Sequence, residues 1–207
     1  YCLRHGNVIL DICELVTGDA AEGMDWALDK AIQDRADHFV FDADGLGVSL
    51  KRQVDQALTG KVGMKYTLFK GSEAAQDPEL PYTTGGMERN KTNRETFRNK
   101  RAQFYWKLRD RFEATHRAVT KGEYVNPEEM ISLSSSISCL DQLRAEVCRI
   151  PLKRNNLGKI QILSKVEMAK APYRLPSPNM GDALMMSMIS PKVNTQEKVV
   201  LNFSGWK

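Results

Sequence analysis

Hydrophobic and polar positions change period several times along the chain, and each change predicts an element. Residues 1–4 and 8–15 are β-favouring runs on either side of His5-Gly6-Asn7, where Gly-Asn supplies the positive φ angles of a tight turn. This predicts an antiparallel hairpin. From 20 to 36, Met24, Ala27, Leu28, Ala31 and Ile32 recur at helical spacing behind Asp19, a suitable N-cap. Residues 38–41 form a short apolar run that ends in Asp42-Ala43-Asp44-Gly45-Leu46-Gly47, and residues 48–58 return to a helical pattern. The order is strand, glycine-rich turn, helix. Residues 66–69 give another short strand.

Residues 71–93 are polar, rich in Pro, Gly, Thr and Asn, and without apolar periodicity, which predicts a long surface loop. A long helix is expected over 94–119, with Phe97, Arg101, Phe104, Tyr105, Leu108 and Phe112 along one stripe. Residues 138–150 read as a helix stopped by Pro151, and 159–163 as a strand after the Asn155-Asn156-Leu157-Gly158 turn. Pro172, Pro176 and Pro178 then break the chain before a compact apolar helix at 181–189. A hairpin followed by strands alternating with helices predicts an α/β fold, a mixed sheet flanked by helices. In such sheets, sites gather at the carboxyl ends of strands.

At 207 residues with 42% hydrophobic positions the chain can bury one substantial core, and the absence of a linker or internal repeat makes residues 1–207 a single domain. Its apolar runs fall well short of the roughly 20 residues that span a bilayer, so no membrane partner is expected. The formal net charge of +4 permits a polyanionic partner without requiring one. Cys2, Cys13, Cys139 and Cys148 show no CxxC spacing and the three histidines are scattered, which excludes a familiar zinc motif. No GxxxxGK[ST] occurs, so the sequence carries no P-loop ATPase signature.

Two segments could carry chemistry. The apolar strand at 38–41 delivers Asp42 and Asp44 at its end. Residues two apart on a strand face the same way, so both could address one hard cation if strand geometry continues through Asp44. The same pattern also fits a plain turn with Asp42 capping the next helix. In Ser177-Pro178-Asn179-Met180-Gly181-Asp182-Ala183-Leu184, a single acid opens an otherwise apolar helix. Asp182 there is either a favourable partner of the helix dipole or an oxygen ligand. Paired oxygen sites, one after a strand and one on a late helix, suit Mg²⁺ or Mn²⁺ held for phosphodiester hydrolysis.

Taken in order, Asp42 through Gly47, Asn99-Lys100-Arg101-Ala102-Gln103-Phe104-Tyr105-Trp106, Ser164-Lys165 and Ser177 through Leu184 resemble the C-terminal nuclease domain of phage large terminase subunits. The resemblance covers essentially the whole chain. It implies an RNase H-like fold in which three carboxylates hold two divalent ions, Mg²⁺ or Mn²⁺, and cut concatemeric viral double-stranded DNA. Asp42 matches the family's second acid and Asp182 its third. The first belongs to a strand expected ahead of Tyr1, as does the family's ATPase domain, so an impaired site is expected in this chain. Asp11 lacks the family context. Asn179 stands where some relatives carry a histidine near the metal. The small terminase subunit and the portal protein are the implied partners, and the host cytoplasm during virion assembly the implied location.

Lys165, just after a predicted strand, could contact a phosphate, orient a carboxylate, or simply be solvated. Basic residues are dense from Arg89 to Arg117, which makes Arg94, Arg98 and Lys100 candidates for DNA contact. Interleaved Glu88, Glu95, Asp110 and Glu113 are equally compatible with a solvated helix face. Two other functions remain open on the sequence: a different RNase H-like nuclease such as a junction resolvase, and a non-catalytic docking module with structural carboxylates.

Overall fold

The computed structural model of the chain describes residues 1–45, 49–59, 63–82 and 91–190. Leu46, Gly47, Val48, Glu88 and Arg89, singled out above, lie outside the described residues. The predicted hairpin forms from β1 (Cys2–His5) and β2 (Val8–Ile12), turning at Gly6 with φ of 56°. A two-residue strand that the pattern did not announce, β5 (Ser132–Leu133), joins β2 in parallel. Helix α1 (Ala20–Gln33) starts where Asp19 accepts the Ala21 N–H at 2.8 Å, and it buries Met24, Leu28 and Ala31.

Strands β3 (His38–Asp42) and β4 (Lys65–Phe69) pair in parallel, with α2 (Lys51–Leu58) in the crossover. Their register sets Asp42 opposite Phe69, so both strands end at one level. This is the carboxyl edge of the fold.

The single helix expected over 94–119 is two helices, α3 (Asn93–Thr96) and α4 (Lys100–Lys121). Thr92 and Glu95 form a capping box around α3, and Asn99 caps α4 by accepting the Ala102 N–H at 3.0 Å. Two start signals so close together leave Phe97 extended, and it bridges to Ile160 rather than joining the α4 stripe. Downstream come α5 (Leu140–Val147), a hairpin of β6 (Leu152–Arg154) and β7 (Ile160–Ile162), α6 (Lys165–Ala169) and α7 (Asn179–Ser187).

One core cluster joins Ile9 and Ile12 of β2, Phe104 and Leu108 of α4, Leu143 of α5, and Met180, Leu184 and Met185 of α7. A second joins α1 and α2 to Phe39 and Phe41 of β3. Each fully buried side chain of this size contributes about 1.5–3 kcal/mol, which fixes α7 against the sheet and so fixes where its first turn lies. The α/β class holds, but among the described residues the strands hydrogen-bond in three groups: β1-β2-β5, β3-β4 and β6-β7. Between β1 and β3 runs a groove of about 640 Å³, with residues of α1 and α7 along it. Each flanking strand presents one edge with no strand partner among the described residues.

Candidate active site

Asp182 sits in the first turn of α7, 8% exposed, and its carboxylate accepts only from donors of other elements. Its Oδ1 accepts the Tyr105 hydroxyl at 2.6 Å and an Arg101 guanidinium N–H at 3.2 Å. Its Oδ2 pairs with Lys165 Nζ at 3.0 Å. Arg101 and Tyr105 stand one turn apart on α4, and the guanidinium lies 5.2 Å from the phenol centroid. Arg101 also donates to the Leu163 carbonyl at 2.9 Å, tying α4 to the end of β7. Burial and the Asp182 charge push the Tyr105 hydroxyl well above the ordinary phenol range, so it stays a donor.

Asp42 closes β3 and is more open to solvent. Partial burial raises its carboxyl above the usual range. The Asp44 N–H, which Oδ1 accepts at 2.9 Å, and the Lys165 ammonium pull it back, while the charges of Asp44 and Asp182 raise it further. Asp42, Lys165 and Asp182 are therefore within electrostatic reach of one another, and α7 packs against β3. The structure brings these three together.

Asp44 is arranged differently. Its Oδ1 takes the Ser72 hydroxyl at 2.7 Å and its Oδ2 the Ser72 N–H at 3.0 Å. It ties the exit of β3 to the exit of β4. Asp11 pairs with Lys30 at 3.6 Å, and Asn179 donates to Glu14 at 2.6 Å, so neither turns toward Asp182. The DNA candidates also separate. Arg94 pairs with Glu79 and Lys100 with Glu73, whereas Arg98 has no ion-pair partner among the described residues.

Arg101 and Tyr105 belong to the site although the sequence reading assigned both to an apolar stripe. The available signal was Arg101 itself, a permanent charge at a core-facing position that demands a buried anion.

Asp42 and Asp182 are hard oxygen donors of the kind Mg²⁺, Mn²⁺ and Ca²⁺ prefer. Among the described residues no group of three or more His, Cys, Asp or Glu side chains could hold a metal ion. The donor set suits one hard divalent cation, and in this structure the Lys165 ammonium neutralises Asp182.

Mixed strands flanked by helices give this chain the RNase H-like fold of a nuclease domain. The nuclease domain of the large terminase subunit gp2 of bacterial virus Sf6 is 44% identical, with a TM-score of 0.84, over 92% of this chain and 81% of that one. A lysine-to-alanine variant of that domain, solved with manganese, is likewise 44% identical with a TM-score of 0.85, over 92% of this chain and 83% of that one. The same variant with calcium has a TM-score of 0.84 at the same identity. No family model matches the chain, and no curated protein does. The chain belongs to the nuclease domains of phage large terminase subunits.

Proposed function

We propose that this domain is a divalent-cation-dependent endodeoxyribonuclease that cuts concatemeric double-stranded DNA into genome lengths as a viral packaging motor works in the host cytoplasm. The observation that carries this reading is the convergence of Asp42, Asp182 and Lys165 at the carboxyl edge of the strands. Metal dependence is supported by the oxygen donor set and by the manganese and calcium present in the relative's structures.

Asp42 and Asp182 are the residues that would hold the ion. When bound, Mg²⁺ or Mn²⁺ supplies an acidified water and polarises the scissile phosphate. The chain's own side chains set up that chemistry. Tyr105 and Arg101 fix one oxygen of Asp182 and leave the other facing Lys165, so the carboxylate is oriented before substrate arrives. Arg101, held also by Leu163, keeps that orientation rigid. Lys165, about half exposed, is free to turn toward a phosphate oxygen.

A second ion needs a further carboxylate. The groove between β1 and β3 suits one more strand, because both walls offer unpaired edges and helices line it. A strand seated there with an aspartate beside Asp42 would supply the acid that the family resemblance implies. The small terminase subunit and the portal are the partners expected for the complete motor.

The test compares Asp42→Asn and Asp182→Asn with the parent chain by Mn²⁺ titration calorimetry, by circular dichroism, and by manganese-dependent cleavage of duplex DNA. Each variant should fold and lose most ion affinity along with any cleavage. Folded variants that bind Mn²⁺ like the parent would refute the catalytic reading and favour a docking module with structural acids.

A further inference from the structure

The β6-β7 hairpin stands beside this site with no role in it. Around it lies an open concavity of about 560 Å³ lined by Arg98, Lys153, Arg154 and Lys159, with amide side chains between them and no carboxylate. We propose that this hairpin and Arg98 grip the phosphate backbone of duplex DNA whose scissile bond lies at Asp42 and Asp182. The proposal rests on the nuclease reading above and names where its substrate runs.

Three observations converge on it. The first is charge that protein leaves unanswered. Elsewhere in this region five basic residues are paired, Arg94 with Glu79, Lys100 with Glu73, Arg101 with Asp182, Arg109 with Glu113 and Arg117 with Glu123, while Arg111 donates to the Met130 carbonyl and Lys107 lies over the Phe104 ring. At the hairpin only Lys153 is paired, with Glu167, while Arg98, Arg154 and Lys159 have no ion-pair partner among the described residues. Glu95 lies within electrostatic reach of Lys159 but does not pair with it. Cations without carboxylate partners, alternating with amides, suit a polyanion that offers only acceptors.

The second is rigidity. The Asn155 side-chain oxygen accepts the Leu157 N–H at 3.0 Å and the Lys159 N–H at 2.9 Å, and Arg154 donates to the Gly158 carbonyl at 2.9 Å. Gly158 has φ of 75°, which only glycine adopts cheaply. Beneath the tip Ile160 is fully buried, and its carbonyl accepts the Arg98 N–H at 2.9 Å, so strand and arginine are one body. Contacts presented this way lose little entropy on binding.

The third is continuity. From Lys159 the chain runs along β7 to Leu163 and Ser164 and reaches Lys165, which touches Asp182. Six residues of near-extended chain span at most about 20 Å, or roughly six base pairs at about 3.4 Å each. A duplex seated at the carboxylates would pass the hairpin within a single turn. An acidic peptide would satisfy the first observation but needs neither the rigidity nor the alignment with the site.

The test uses the whole chain in EDTA, so that nothing is cut, and follows binding of a fluorescent duplex of roughly 30 base pairs across a salt series. The triple variant Arg98→Gln/Arg154→Gln/Lys159→Gln should keep the parent's circular dichroism, bind about tenfold or more weakly, and show a salt slope shallower by about two to three. Lys121→Gln, at the opposite end of α4, should keep the parental slope. A folded triple variant with unchanged affinity and slope overturns the hairpin assignment and leaves the nuclease reading standing, as does an equal loss from Lys121→Gln. A parent chain with no salt-dependent affinity for duplex DNA overturns the nuclease reading itself.

Discussion

If Asp42 and Asp182 hold the cation as proposed, Lys165→Ala should make this domain bind Mn²⁺ more tightly, because the lysine ammonium competes for Asp182. Its Nζ lies 3.0 Å from Asp182 Oδ2, with the lysine side chain 48% exposed and the aspartate 12%. At that separation the Coulomb attraction is about 1.4 kcal/mol in a water-like dielectric and about 5.5 kcal/mol at an effective dielectric near 20. The half-exposed ammonium is screened, so the lower figure governs. On the proposed ligand pair a bound divalent ion competes with this partner for Asp182, so removing the lysine relieves a competition of about 1.4 kcal/mol, or tenfold in affinity. We therefore predict that titration calorimetry at neutral pH gives a Mn²⁺ dissociation constant about tenfold lower for Lys165→Ala than for the parent. Lys165→Arg, which keeps the charge, should show no gain. Adding Asp182→Asn to Lys165→Ala should abolish the gain. Should a folded Lys165→Ala protein bind Mn²⁺ no better than the parent, the lysine is not standing in for the ion and the proposed ligand pair is wrong.

Two further predictions follow from neighbouring contacts. Tyr105→Phe deletes the hydroxyl that donates to Asp182 at 2.6 Å, and a hydrogen bond to a charged group contributes about 1.5–3 kcal/mol. The variant should melt several degrees lower, and an unchanged Tm would mean that Arg101 and Lys165 alone satisfy the buried carboxylate. Glu167 is held down to about 2 by Lys153 and by the N–H and hydroxyl of Ser164. Because its folded value lies below its unfolded one, its contribution is complete above about 4.3 and is lost as pH falls through about 2. The Tm difference between the parent and Glu167→Gln should thus shrink as melting is repeated from pH 6 down to pH 2, whereas a constant difference would remove the charge from the account.

Local signals carried the elements that local chemistry decides. The Gly6 hairpin, the Asp19 cap and the buried stripe of α1 all stand where the pattern put them, because turn, cap and periodicity are properties of neighbouring residues. Phe97 went the other way. Its place in the apolar stripe looked helical, yet the capping signals at Thr92 and Asn99 bracket it, and two starts seven residues apart cannot belong to one uninterrupted helix. β5, with two residues, is too short to show any period and exists only because β2 offers it an edge. The three separate strand groups were likewise out of reach, since pairing across a groove is decided by tertiary packing.

The carboxylates show the same division at finer scale. Asp42 and Asp44 share a face only while the chain remains a strand, and the sequence supports strand geometry no further than the apolar run. Pairing continues to Ala43, whose N–H reaches the Phe69 carbonyl at 2.8 Å. There it stops, because the Asp44 N–H bends back onto Asp42 Oδ1, the local competition by which aspartate ends regular structure. That turn spends one Asp42 oxygen on the backbone and swings the Asp44 carboxylate to Ser72. With Asp44 committed there, the acid from another element within electrostatic reach of Asp42 is Asp182, which arrives on α7 through core packing at Met180, Leu184 and Met185. An apolar helix, rather than a second acid in the same motif, completes the pair.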